Sequence, residues 1–268
     1  MRLTAVTLLV TLCGTAPLAG QTYEEHIARG DSLTDLLEHH AALEEYRAAF
    51  MLNPSSYDAM WKFSGAQIDV AKQLDDDEKE LRDSLYWVAR IYAEAAVSTD
   101  SMGPDGHFML SQSLGRLSRT RGGKERVRFG KEIYDHSTWA IRLDSLHDGA
   151  YHVLGAWHAE IKRLSGFTKF FAKTFLGGGY MDMANWDSAA VNLETSVRLK
   201  PEHIFHRLEL ARIYVDMERW DDAATQLEVI ATLEPNTDIE DPRYKEEAAA
   251  LLEEIRARGG QEGNADDG

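Results

Sequence analysis

Cysteine is almost missing from this chain: among 268 residues the one example is Cys13. It lies in an apolar N-terminal run, and Leu12 before it is too large for a lipid-attachment cysteine. Past residue 20 there is no thiol, which excludes disulfides, a thiolate nucleophile and a cysteine-based zinc site from that part of the chain. Positive charge is also scarce, with 29 Lys and Arg against 45 Asp and Glu, for a formal charge of -16. Such a surface repels phosphate backbones, so nucleic acid is excluded as a partner. No G-x-S-x-G, P-loop, G-x-G-x-x-G or H-E-x-x-H occurs, so no enzyme activity and no cofactor are expected. Alternating strand patterns are absent, and no apolar run is long enough for a comfortable membrane span.

The first twenty residues have the form of a secretory signal. Arg2 supplies the basic start, residues 3–12 the short apolar centre, and Pro17, Ala19 and Gly20 the small or turn-forming end. Cleavage is expected between Gly20 and Gln21, giving a secreted or periplasmic protein; an uncleaved N-terminal anchor is the alternative. The rest has enough apolar residues for one continuous core.

That core repeats. Gly30, Ala42, Tyr46, Ala49 and Pro54 recur as Ala211, Ala223, Leu227 and Pro235, with twelve residues from Gly30 to Ala42 and again from Ala211 to Ala223. The same twelve separate Ala42 from Pro54 and Ala223 from Pro235. Small residues at this spacing let two helices cross closely, and the proline ends the second helix. Trp186 and Trp220 occupy equivalent places in the runs NWDSAA and RWDDAA. Two weaker copies pair residues 60–68 with Ala89, Ala93 and Ala96, and residues 108–117 with Ile133, Ser137 and Ala140. These segments resemble the tetratricopeptide repeat, a helix pair of about 34 residues. The expected fold is an all-α superhelix of about five repeats over residues 21–258, with a capping helix that has Asp241 as its N-cap and Pro242 as its first residue, and a disordered tail at 259–268.

A narrower likeness covers residues 106–258. AYHVLGAWHAEI, the aromatic-basic stretch FTKFFAKTFLGGG, AAVNLETSVRLKP and RFGKEIYDHSTWAIRLDS are similar to the regulator of microtubule dynamics family. The resemblance implies an all-α domain with a binding role and carries no catalytic motif. A translocated protein would not meet microtubules, so that role is not expected here.

Candidate site residues follow from the repeat register. The helix A faces lining the concave side include His152, Ala156 and Glu160 in one repeat and Phe205, Leu208, Arg212 and Val215 in the last. This groove is the expected site for a protein or peptide partner. The histidines His152, His158, His203 and His206 lack a third positioned ligand, so no metal site is expected.

The insertion at 162–176 interleaves Phe167, Phe170, Phe171 and Phe175 with Lys162, Arg163, Lys169 and Lys173. Its phenylalanines are expected to form a stripe with Leu164 against the repeat stack, with the lysines outward. The alternative is a basic amphipathic helix in which Phe167, Lys169, Phe170, Phe171 and Lys173 touch lipid or a membrane surface. The leading function is an interaction scaffold; the alternative is a carrier holding an apolar molecule or lipid beneath the insertion.

Overall fold

The computed structural model describes residues 21–265, apart from the side chains of 76 and 259–265. The segment expected to be an export signal, residues 1–20, therefore lies outside the described residues, as do residues 266–268.

Several helices start where a side chain accepts from a free amide of the first turn. α1 (Tyr23–Asp35) is capped by Thr22, whose hydroxyl accepts from Glu25 N–H while the Glu25 carboxylate accepts from Thr22 N–H. α2 (His39–Leu52) returns along it. α3 (Tyr57–Lys72) begins on Ser56 and pairs with α4 (Lys79–Thr99) across the acidic 3-10 turn Asp76–Glu78. α5 (Pro104–Ser118) opens on proline, which has no amide to satisfy, and pairs with α6 (Gly123–Leu143). α7 (Asp148–Arg163) leads into a short α8 (Gly166–Phe175) and a 3-10 turn at Gly178–Met183. α9 (Trp186–Leu199), capped by Asn185, then packs back on α7. α10 (Ile204–Asp216) and α11 (Trp220–Thr232) form the last pair, and α12 (Asp241–Ala265) covers both. Among the described residues there is no strand. The structure is the tetratricopeptide-type α-solenoid expected from the spacing.

The small residues stand at the crossings. A Cβ on Gly30 would lie 2.5 Å from the Tyr46 ring, and one on Gly155 only 1.8 Å from Leu193 Cδ2. Ala42, Ala49, Ala89, Ala93, Ala96, Ala140, Ala189, Ala211 and Ala223 are all buried. Around them lie Leu114, Leu117, Phe129, Leu193, Leu208, Ile213 and Ile230, each fully buried and each stabilising the fold by about 1.5–3 kcal/mol.

Two expectations need correction. α12 does not stop at Arg258 but runs through Ala265. Once a helix is anchored by packing, as α12 is at Tyr244, Ala248 and Leu252, each further residue adds a hydrogen bond without a new nucleation cost. Asp241 also does something other than cap α12: its buried carboxylate accepts from Thr237 N–H at 2.7 Å and Asp238 N–H at 2.9 Å, and so ties down the turn before the helix.

Candidate partner-binding groove

The helices that open each pair, α3, α5, α7 and α10, lie side by side, with α12 against α10. Their facing residues form a groove, and one end of it is closed. Lys72 at the end of α3 meets Asp238, in the turn before α12, at 2.6 Å, and Asp69 at 3.0 Å. Burial opposes the charge on Lys72, yet the two carboxylates hold its pKa above the ordinary lysine value. The ion pair links elements 166 residues apart in sequence.

Beside this tie lies a histidine layer. His152 and His206 face each other with Nδ1 atoms 3.0 Å apart, and His206 Nε2 lies 2.8 Å from Asp148. The His203 ring stacks on that of His206 at 3.8 Å. Burial pushes His203 down to about 3 and His152 well below its usual value, with neighbouring cations adding to both shifts. Burial opposes ionisation of Asp148, but the bond from His206 overrides it and holds the carboxyl at about 2. The described residues contain no group of three or more His, Cys, Asp or Glu arranged to hold a metal. His158 is apart from this layer: it is buried with its ring against Trp157 and Tyr134.

The open end of the groove is a cavity of about 320 Å³ lined by Arg119, Glu160, Arg163, Glu209, Arg212, Val215, Asp216 and Leu251. Its ion pairs cross between helices. Arg163 of α7 reaches Asp216 of α10 at 2.6 Å and its own Glu160 at 2.9 Å, and Arg212 bridges Glu209 and Glu247 of α12. The Arg119 side chain is exposed and has no hydrogen-bonding or ion-pair partner among the described residues. One turn back, half-buried Arg116 is equally unpaired, and its charge bears on Lys72, His152 and Tyr244. The cavity thus presents the uncommitted guanidinium of Arg119 beside the apolar Val215 and Leu251, and Arg116 lies one turn back toward Lys72 and His152.

Of the residues expected in the groove, Glu160, Arg212 and Val215 line this cavity. His152 and Ala156 lie on the same helix, both half-buried. Leu208 is not in the groove: it is fully buried among Leu227, Ile230 and Tyr244. The capping helix causes this, because α12 packs onto the face of α10 that would otherwise be open. Phe205 is drawn in the same direction and stacks on Tyr244 at 4.5 Å. Arg116, in the last turn of α5, and Arg119, its C-cap, are not in the expected set because in the sequence they belong to a run of basic residues around Gly122 and not to a repeated helix A position.

The insertion also departs from expectation. Ala172 is the buried residue of α8, while Phe167, Phe170, Phe171 and Phe175 are 79%, 63%, 47% and 65% exposed. The core beneath α8 is already filled by Trp157, Ile161 and Met181, with Leu164 and Leu176 packed on it. The small face of Ala172 lets α8 lie down on the Gly178 backbone, whose added Cβ would come within 3.0 Å of Ala172. The four rings turn outward. Lys169, expected to point outward, is half-buried and donates to the Lys162 carbonyl at 3.2 Å; exposed Lys173 pairs with Asp182 at 2.7 Å.

Compared with known families, residues 26–256 match the profile of regulator of microtubule dynamics protein 1-3. The chain belongs to that family. Comparison with individual curated proteins finds none that matches. Among solved structures, this chain is similar to TTC0263, a thermophilic tetratricopeptide protein of Thermus thermophilus. The identity is 19%, covering 86% of this chain and 99% of the other, with a TM-score of 0.62. It is also similar to pilF of Pseudomonas aeruginosa at 16% identity, covering 91% and 97%, with a TM-score of 0.51. At these identities the likeness shows a shared fold.

Proposed function

We propose that this protein is a non-catalytic interaction scaffold that holds a segment of a protein partner in the groove between α5, α7, α10 and α12. The observation that carries this reading is the unpartnered guanidinium of Arg119 in the cavity lined by Val215 and Leu251, with equally unpaired Arg116 one turn back along the same helix end. Arginines already engaged by carboxylates, as Arg163 and Arg212 are, give a partner little to bind. An uncommitted guanidinium offers a planar fork of donors to an acidic side chain or a C-terminal carboxylate. A cavity of this size takes one or two side chains, and the Lys72–Asp238 tie limits entry to the open end. The segment it fits therefore carries an acid next to a small apolar residue.

The place of action is proposed to be outside the cytoplasm, which the signal-like composition of residues 1–20 supports; N-terminal sequencing of the native protein checks it. The groove is tested by selecting peptides from a displayed library against the purified protein. Enriched sequences are expected to share an acidic residue beside an apolar one. Arg119→Glu is expected to weaken their binding about tenfold or more, as loss of a charge-assisted bond and its reversal would. Peptides without an acid, or binding indifferent to Arg119→Glu, would refute the reading.

A further inference from the structure

We propose that α8 is a membrane-surface contact that sets its phenylalanine face into the headgroup region of a bilayer rich in anionic lipid. The first observation is the orientation of the helix. Phe167, Phe170, Phe171 and Phe175 share an arc of α8 and are about half to four-fifths exposed, while Ala172 faces the protein. Four adjacent aromatic rings on one short helix exceed the scattered apolar residues that an ordinary surface carries.

The second observation is charge. In a chain with formal charge -16, the surroundings of this helix are cationic. There is no acid between Glu160 and Asp182, and of the cations in that interval Arg163 and Lys173 are paired with carboxylates, which leaves Lys162 and Lys169 without a carboxylate partner among the described residues. The fold adds a second basic segment from elsewhere. A Cβ on Gly123 would lie 3.7 Å from Leu176, so the start of α6 abuts the end of α8. The Tyr180 hydroxyl, just beyond α8, donates to the Val127 carbonyl at 2.7 Å and fixes that contact. Exposed Lys124 and Arg126 stand on this first turn of α6 with no ion-pair partner among the described residues. Two basic stretches that are far apart in sequence therefore flank one aromatic face.

Aromatic rings with cations beside them are what an interfacial helix needs: the rings enter the headgroup boundary and the cations meet lipid phosphates. Since α8 buries little of itself in the protein, docking it leaves the repeat core undisturbed. No helix among the described residues is long and apolar enough to cross a membrane, so the contact is with the surface. The groove lies on other elements, and this proposal stands independently of its occupant.

The test is vesicle co-sedimentation of the full chain purified without residues 1–20, using phosphatidylcholine alone and phosphatidylcholine mixed with phosphatidylglycerol. Binding to the mixed vesicles is expected to be at least about tenfold stronger than to the neutral ones and to weaken as salt is raised. Phe167→Ser with Phe171→Ser is expected to remove that binding while the Tm stays within a degree or two, as fits exposed side chains. Lys124→Glu is expected to weaken it about fivefold or more. Absence of binding to either vesicle, equal binding to both, or full binding by the serine variant overturns the proposal. So does a concentration-dependent dimer that the serine variant abolishes, since a second copy would then cover the face.

Discussion

At the scale of single residues, stability is set by how closely helices approach at glycine and alanine. Gly155 sits where α7 crosses α9, with the Leu193 side chain and the Ala189 carbonyl in the place a Cβ would occupy. Gly155→Ala is therefore expected to lower stability by about 1–3 kcal/mol through overpacking. Gly115, inside α5, has nothing within 4 Å of an added Cβ. Gly115→Ala is expected to raise stability by about 0.5–1 kcal/mol, because alanine loses less backbone freedom in a helix. Urea denaturation of both variants gives the opposite signs if the crossing is as described.

Histidine burial sets the acid response. Burial pushes His203 to about 3 and His136 to about 4, the latter assisted by His107 with its Nδ1 2.8 Å away. Both values lie below the 6.5 of an exposed ring. The unfolded chain thus binds more protons than the folded one between these values, and stability falls as pH drops below that of the exposed ring. From pH 7.5 to 5 the loss is expected to be on the order of 1–2 kcal/mol per ring. His136→Asn is expected to flatten the Tm profile over that interval; an unchanged slope would place the proton uptake elsewhere.

At the scale of elements, the first and last repeats share a turn that residue types conceal. Leu37 between α1 and α2 and Glu218 between α10 and α11 both adopt left-handed backbone, with φ of 60° and 59°. Each lies seven residues beyond its repeat's small helix A residue, Gly30 or Ala211. Side chains are strained there by about 1–2 kcal/mol relative to glycine. Glu218 is exposed and its side chain packs on nothing that would offset this. Glu218→Gly is expected to raise the Tm by a few degrees, with up to about 1 kcal/mol left after glycine's own entropy cost. Leu37→Gly is a poorer choice because Leu37 is half-buried. The same scale explains α8. Its apolar pattern is what a packed helix shows, but pattern alone does not say which side the neighbours occupy.

At the scale of the whole molecule, the Lys72–Asp238 ion pair makes the array more than a row of nearest neighbours. Repeat proteins are stabilised mainly by contacts between adjacent units. Here the second pair of helices is also tied to the turn before the capping helix. Asp238→Ala leaves Lys72 buried with Asp69 as its remaining partner, and is expected to cost about 1–3 kcal/mol, less than the full loss of a buried pair. Hydrogen exchange should show the turn at 236–240 and the end of α3 opening together in that variant. Protection lost at one end alone would mean that the tie does not couple them.

The periodic positions by themselves determined the helix pairs, their crossings and the capping helix. Helix period, small-residue spacing and helix-ending prolines act over a few turns, and the residues that carry them, Gly30, Ala42, Pro54, Ala211, Ala223 and Pro235, are all local to their repeats. The family likeness was legible for the same reason, since its motifs are contiguous runs. Tertiary structure decided what required knowing which surfaces meet. It buried Leu208 beneath α12, turned the phenylalanines of α8 to the outside, and set Arg116 and Arg119 at the groove with Arg163, Asp216 and Leu251. Each of these depends on contacts between residues tens of positions apart, where the occupancy of one face determines which face of its neighbour is left open.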